Sequence, residues 1–217
     1  SMFKINKMDF LVGFYVFGVL VSELVGSKTF PLADLGFMKL NASVAIFLIP
    51  LLFSVNDIIT EVHGAARARS VVRTGLTMIV FLFLFLLLAI NLPPSSRFAA
   101  SEEAYDSIFG KSLRISFASL VAFTLADFLD IYIFSKIREK LGKQKLWLRN
   151  NASNFAAQLI DTTVFMSLAF YALDQSLSQN AGFLISLIIP YWLLKCSMSI
   201  IETPLVYVGV KWLKEKE

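Results

Sequence analysis

The stretch from Ile79 to Ile90 reads IVFLFLFLLLAI, twelve consecutive apolar residues. No ionisable residue occurs between Arg73 and Arg97, so the apolar segment reaches the roughly 20 residues that a helix needs to cross a bilayer. Pro93 and Pro94 close the segment, because proline lacks the N–H group that a continuing helix requires. We therefore predict a transmembrane helix here.

The composition of the whole chain indicates the same class. Of its 217 residues, 57% are hydrophobic and 17% are charged, and the mean hydropathy is +0.69. A soluble domain needs roughly 25% charged residues to cover its surface. These values predict an integral membrane protein and argue against a cytosolic enzyme. Six crossings would take about 120 residues, which leaves no room for a sizeable extramembrane domain.

Hydropathy divides the chain into six apolar spans, which predict an all-α integral membrane protein with six transmembrane helices. Residues 1–9 are predicted to be a cytoplasmic tail, in which Ser1 is interpreted as a remnant of tag removal. Residues 10–214 are predicted to form a single six-helix domain. The predicted spans are 10–27, 42–61, 72–92, 112–135, 152–173 and 183–210.

Lysine and arginine are distributed unequally between the two ends of these spans. Fourteen of the twenty lie before span one, between spans two and three, between spans four and five, or after span six. Five lie on the opposite side, and Lys195 falls inside span six. The positive-inside rule then predicts that both termini are cytoplasmic. Topology also explains the basic run after span four, so no nucleic-acid partner is predicted.

Carboxylates within the spans are the most informative feature of the sequence. One carboxylate at mid-bilayer costs roughly 2.5 to 3.5 kcal/mol on insertion scales, so several require a wet cavity, a partner, a proton or a ligand. Lys195 is the one basic residue that lies away from the ends of the spans, and it can neutralise only one or two of the carboxylates. The acids are Glu23, Asp57, Glu61, Asp127, Asp130, Asp161 and Glu202.

Many of the polar residues recur at helical spacing and form stripes on three spans. Stripes turned inward from separate helices predict a polar cavity that binds a small polar molecule. The alternative is that these groups form interhelical hydrogen bonds that hold the bundle together. Carboxylates are a costly choice for that role, so the cavity is favoured for the set. The stripes are Pro50, Ser54, Asp57 and Glu61; Asn154, Gln158 and Asp161; and Lys195, Ser199 and Glu202.

The chemistry of these side chains narrows the class of ligand. A carboxylate accepts two parallel hydrogen bonds from an N–H and an exocyclic amine, the edge of a guanine-like base, and an amide can pair with the other edge. Aromatic side chains such as Trp192 could stack on a planar ring. The residues alone predict a neutral or cationic ligand with several donors and do not name it.

Four segments carry a set of motifs in a fixed order. They are DIITEVHGAARARSVVRTG (Asp57 to Gly75), YIFSKIR (Tyr132 to Arg138), LWLRNNASNFAAQLIDTTVF (Leu146 to Phe165) and TPLVYVGVKWLK (Thr203 to Lys214). Together they resemble the queuosine precursor transporter family, a group similar to vitamin uptake transporters. The resemblance covers residues 10–214 and has the same six-helix layout.

The resemblance implies uptake of 7-deazaguanine precursors of queuosine across the bacterial inner membrane. The implied substrates are 7-cyano-7-deazaguanine and, secondarily, 7-aminomethyl-7-deazaguanine. Three groups of residues match the family motifs, at helix two, at its cytoplasmic exit and at helix five. They are Asp57, Thr60 and Glu61; Arg67 and Arg69; and Arg149, Asn150, Gln158 and Asp161.

Two roles are assigned to the polar residues of the spans. The predicted substrate ligands are Asp57, Glu61, Asn154, Gln158, Asp161 and Glu202. The candidates for carrying a coupling proton are Asp57, Asp127, Asp130 and Asp161. The hypothesis is a secondary transporter driven by the proton gradient.

One alternative is the substrate-binding S-component of an energy-coupling-factor importer for vitamins or nucleobases, a six-helix protein of similar size that needs ATPase partners. An enzyme is not predicted, because His63 and Cys196 supply neither a metal set nor a nucleophile–base pair. No catalytic residue, metal or cofactor is therefore expected. The expected partners are a small-molecule substrate and the lipid bilayer, with a homodimer left open.

Overall fold

The computed structural model describes the backbone of residues 5–141, 146–201 and 203–214, and the side chains in these ranges except at 126–154 and 199. Most of this chain is helical. A 3-10 turn, Val44–Phe47, precedes α2, and a second, Ala99–Ser101, precedes α4. The main elements are α1 Lys7–Val25, β1 Thr29–Asp34, β2 Lys39–Ser43, α2 Ile49–His63, α3 Ala65–Ala89, α4 Glu102–Leu141, α5 Leu146–Phe170, α6 Leu177–Ile201 and α7 Thr203–Lys214.

The described residues contain five helical segments that are long and apolar enough to cross a membrane. The part of α5 whose side chains are described, Phe155–Phe170, is also apolar. The chain is thus a multi-pass helical membrane protein, while the count of six spans and the cytoplasmic position of both termini stay predictions. The five segments are Lys7–Val25, Val44–His63, Ala65–Ala89, Ala99–Leu125 and Leu177–Met198.

Several helix boundaries differ from the predicted spans. Helix α3 begins at Ala65 rather than at residue 72, because the helix break falls at Gly64, whose φ of 83° lies in the left-handed region. Helix α4 has 40 residues and extends beyond both ends of the predicted span 112–135. Helix α6 begins at Leu177, before the predicted start of the sixth span at residue 183, and α7 ends at Lys214, beyond its predicted end at residue 210.

A β-hairpin follows α1, and the sequence analysis did not predict it. Strands β1 and β2 form a two-stranded sheet. In the connecting turn, Asp34 Oδ1 accepts a hydrogen bond from the backbone N–H of Gly36, whose φ is 80°. The hairpin is tied to α6, since Asn41 Nδ2 lies 2.9 Å from the hydroxyl oxygen of the buried Ser186.

The chain divides into two compact units. The first contains Ser1–Lys28, Ser43–Ser116 and Ser197–Glu217, and the second contains Thr29–Ala42 and Phe117–Cys196. Helices α1, α2 and α3 build the core of the first unit, and α7 packs against it. The buried residues of this core are Leu11, Val55, Ile58, Ile59, Ala68 and Val71.

Glycines allow close approach of helices in the first unit. A Cβ atom on Gly75 of α3 would lie 2.9 Å from Tyr15 Cε1 on α1, and one on Gly209 of α7 would overlap Ile58 of α2. Because lipid tails are as apolar as the helix surfaces, helices in a bilayer associate mainly through such close packing. Small residues at these crossings are therefore part of what holds the first unit together.

Replacement of Gly75 by valine is expected to lower the melting temperature of the purified protein, since the added methyl groups would displace Tyr15 from α3. Thermal unfolding in detergent measures the effect. The matched control is Gly13→Val on α1, where a Cβ atom has no neighbour within 4 Å. Equal losses at the two glycines would contradict this account of the α1–α3 contact.

One buried amide organises the connection between α5 and α6. Asn180 Oδ1 accepts a hydrogen bond from the N–H of Ala172 at 2.8 Å, and its Nδ2 donates to the carbonyls of Ala172, Gln175 and Ser176. The side chain thereby satisfies backbone groups at the end of α5 and the start of α6. It fixes how these two helices are joined.

Replacement of Asn180 by alanine should destabilise the protein by about 1 to 3 kcal/mol, because the several hydrogen bonds that this buried amide makes to the connecting backbone are lost together. Chemical or thermal unfolding in detergent would give the value. Ser178→Ala is the control, since Ser178 is exposed in the same helical turn. A loss at Asn180 no larger than that at Ser178 would show that the amide has no such role.

Candidate functional site

An ion pair connects α5 and α6 within the second unit. Lys195 Nζ lies 2.6 Å from Asp161 Oδ2, and the two side chains are only 16% and 23% exposed. A charge-assisted bond of this length is among the stronger polar interactions in proteins. A carboxylate in an apolar helix is costly unless it has a partner, so Lys195 provides the reason that Asp161 is tolerated there.

Two further side chains extend the surface around this pair. Gln158 lies one turn before Asp161 on α5 and is half-buried, and within the described residues its amide makes no hydrogen bond. Trp192 lies one turn before Lys195 on α6, and its indole Nε1 donates to the carbonyl of Phe155 at 3.2 Å. The α5–α6 surface thus combines an amide, a carboxylate, an ammonium and an indole.

The residues predicted to form one polar stripe on α2 have different environments in the structure. Ser54 is buried and donates to the carbonyl of Pro50 at 2.7 Å, so its hydroxyl serves its own helix. Asp57 and Glu61 are exposed, and among the described residues neither forms an ion pair. Thr60, a predicted motif residue, donates to the carbonyl of Asn56 at 2.8 Å. The two acids belong to the first unit, and their convergence with the other stripes stays a prediction.

The remaining predicted positions fall into two groups. Arg67 and Arg69 are exposed in the first turns of α3, directly after the break at Gly64. Glu23 was predicted only to be one of the costly acids within the spans, without a substrate or coupling role, and it is buried on α1. The other positions lie outside the described residues, wholly or in their side chains; they are Asp127, Asp130, Arg149, Asn150, Asn154, Ser199 and Glu202.

Sequence reasoning did not assign Lys195 to a partner. The available signal was that it is the one basic residue away from the ends of the predicted spans, placed on the same stripe as Ser199. Spacing along one helix cannot show which carboxylate on another helix it meets, and seven acids were candidates. The structure selects Asp161.

These features define a class, a multi-pass helical membrane protein with a paired charge between its helices, and such charges mark functional sites in transporters, pumps and channels. A family model described as "Putative vitamin uptake transporter" matches residues 43–209, more than half of the chain. The chain belongs to this transporter family. The resemblance inferred from the sequence motifs is thereby confirmed.

Curated relatives carry more specific names. The chain is 31% identical to the "Probable queuosine precursor transporter" of Bacillus subtilis (strain 168), over 82% of this chain and 76% of that protein. It is 28% identical to the "Queuosine precursor transporter" of Escherichia coli (strain K12), over 65% of this chain and 59% of that protein. The second match therefore spans less than two thirds of the E. coli protein. No solved structure matches the chain significantly.

A double-mutant cycle with Asp161→Asn and Lys195→Gln should give a coupling energy of about 0.5 to 3 kcal/mol in unfolding experiments. Each single variant leaves a mostly buried charge without its partner, which lowers the free energy of unfolding more than removal of both charges does.

The control cycle uses the same residue types on the hairpin, Asp34 and Lys39, which are 4.0 Å apart with side chains 61% and 78% exposed. This pair should show a coupling of about 0 to 1 kcal/mol, because water screens it. Equal coupling in the two cycles would mean that burial does not strengthen the α5–α6 pair.

Proposed function

We propose that the protein is a secondary transporter that takes up 7-deazaguanine precursors of queuosine across a bacterial inner membrane. The main substrate is 7-cyano-7-deazaguanine, and the cytoplasmic side is the side of both termini. Family membership and the names of the curated relatives support this substrate class. The observation that carries the proposal is the mostly buried Asp161–Lys195 pair beside the amide of Gln158.

The donors and acceptors of this surface suit a guanine-like base. Asp161 Oδ1 makes no bond among the described residues and accepts a hydrogen bond from the ring N–H or the exocyclic amine of the base. The amide of Gln158 pairs with a second polar edge, and the indole of Trp192 provides a face on which a planar ring stacks. Asn154 and Glu202, with Asp57 and Glu61 on α2, complete the proposed set of ligands.

Proton coupling is assigned to Asp57, Asp127, Asp130 and Asp161, of which Asp57 and Asp161 are also proposed substrate ligands. Of the acids with described side chains in this group, Asp161 has a cation within bonding distance. A proton and Lys195 compete for its carboxylate, because protonation removes the charge that holds the ammonium. Protonation of Asp161 would therefore loosen the contact between α5 and α6. A proton gradient would in this way alter the surface that binds the substrate.

The test is uptake of labelled 7-cyano-7-deazaguanine by the purified protein alone in proteoliposomes, with and without an imposed pH gradient. Accumulation should depend on the gradient, and Asp161→Asn should reduce it by at least about tenfold, since the ion pair is lost and the one remaining oxygen cannot serve both Lys195 and the base. The matched control, Asp174→Asn, alters an exposed acid between α5 and α6 and should leave uptake unchanged.

Other outcomes separate the parts of the proposal. Binding in detergent without uptake by the protein alone would favour an S-component that awaits its ATPase partners. Uptake that ignores a collapsed pH gradient would remove proton coupling while leaving the substrate in place. Neither binding nor uptake of either 7-deazaguanine base would overturn the substrate assignment.

A further inference from the structure

Helix α3 has two faces with different roles. Ala68, Val71, Gly75 and Ile79 are buried and define the packed face. The opposite face of the first half of the helix forms a shallow, open groove whose described lining residues all belong to α3. The lining residues are Ala66, Arg69, Ser70, Arg73, Thr74, Thr77 and Met78. Neither the ion pair of α5 and α6 nor the acids of α2 belong to this groove.

The groove carries positive charge without a counter-charge. Arg69 and Arg73 are exposed one helical turn apart, and within the described part of the chain neither guanidinium group makes a hydrogen bond or an ion pair. No carboxylate is among the lining residues. Two guanidinium groups so placed offer several N–H donors to one oxyanion, and arginine forms its best bonds with carboxylates and phosphates.

The hydroxyl groups of the groove refine the chemistry of the ligand. Thr74 donates to the carbonyl of Ser70 at 3.0 Å, and Thr77 donates to the carbonyl of Arg73 at 2.9 Å. Their oxygens are therefore acceptors toward a ligand. A ligand that brings both oxyanion oxygens and hydroxyl donors suits this arrangement, as the glycerol phosphate of a lipid headgroup does.

An apolar stripe continues from the arginines along the same side of the helix. Phe81, Leu84 and Leu88 follow Thr77 at helical spacing, and all three are exposed. From Arg73 to Leu88 the helix rises about 22 Å, which covers a headgroup region and one half of a hydrocarbon core of about 30 Å. The surface is therefore polar at one end and apolar along the length of an acyl chain.

The position of this surface does not depend on the orientation of the protein. Ala65–Ala89 is a candidate membrane span, and its ionisable residues all precede the apolar run from Ile79. The arginines therefore lie at a membrane boundary, where their side chains reach the level of lipid phosphates.

We propose that the α3 groove binds an anionic phospholipid, with the phosphate on Arg69 and Arg73 and an acyl chain along Phe81, Leu84 and Leu88. Each lysine or arginine near the membrane surface adds to the attraction for anionic headgroups. The proposal is independent of the transported substrate, because it uses none of the residues assigned to that site.

Native mass spectrometry of the full chain in detergent tests it, with phosphatidylglycerol and phosphatidylcholine of identical acyl chains as probes. Phosphatidylglycerol should be retained more strongly. An Arg69→Gln/Arg73→Gln variant should bind it about thirtyfold more weakly, since each arginine near a membrane surface contributes to anionic-lipid affinity. The control is Arg97→Gln, an exposed arginine in the segment before α4, which should change nothing.

Measurements on the unmodified protein keep the proposal testable if the double variant is misfolded. Equal retention of the two lipids by the unmodified protein would overturn it. Inorganic phosphate that displaces phosphatidylglycerol at comparable concentration would show a site for free anions and would also overturn it. A loss of phosphatidylglycerol binding in Arg97→Gln equal to that in the double variant would mean that the lipid responds to general surface charge and not to the α3 groove.

Discussion

The bond between Asp161 and Lys195 sets the geometry of the second unit, because a charge among apolar helices is stable only beside its partner. A nitrogen–oxygen distance of 2.6 Å allows α5 and α6 little freedom at this level. The contact of Trp192 with the carbonyl of Phe155 joins the same two helices, and Asn180 controls the chain that links them. Polar bonds therefore connect these two helices at two levels and fix the segment that joins them, beside buried apolar side chains such as Met166 and Leu187.

The first unit is held together differently. Its helices approach through glycines and apolar side chains, and the ends of α1 and α7 meet where Lys7 Nζ donates to the carbonyl of Trp212 at 2.8 Å. The Lys7 ammonium also lies 5.4 Å from the centre of the Trp212 ring, within range of a cation–π interaction. Apolar packing tolerates small adjustments that a short ion pair does not, so the α5–α6 contact is the one that responds most to a change of charge.

Hydropathy was sufficient to predict the class of fold and the approximate spans, because an apolar run is a local property of sequence. Helix ends were less predictable: Gly64 sets the start of α3, and polar turns lengthen α4 at both ends. The hairpin was missed because its strands are short and Pro31 interrupts the first. Motifs led to the family, but helical spacing gives only the face of a residue, so the partner of Lys195 required three-dimensional information.

The length of α4 has a practical consequence. Its 40 residues span about 60 Å, whereas the hydrocarbon core measures about 30 Å, so about half of the helix must lie outside the hydrocarbon. A continuous helix that leaves the membrane is a rigid point of attachment. A chain of 24.3 kDa gives little contrast in electron cryomicroscopy, and a helical fusion in register with α4 would supply a fiducial mark for particle alignment.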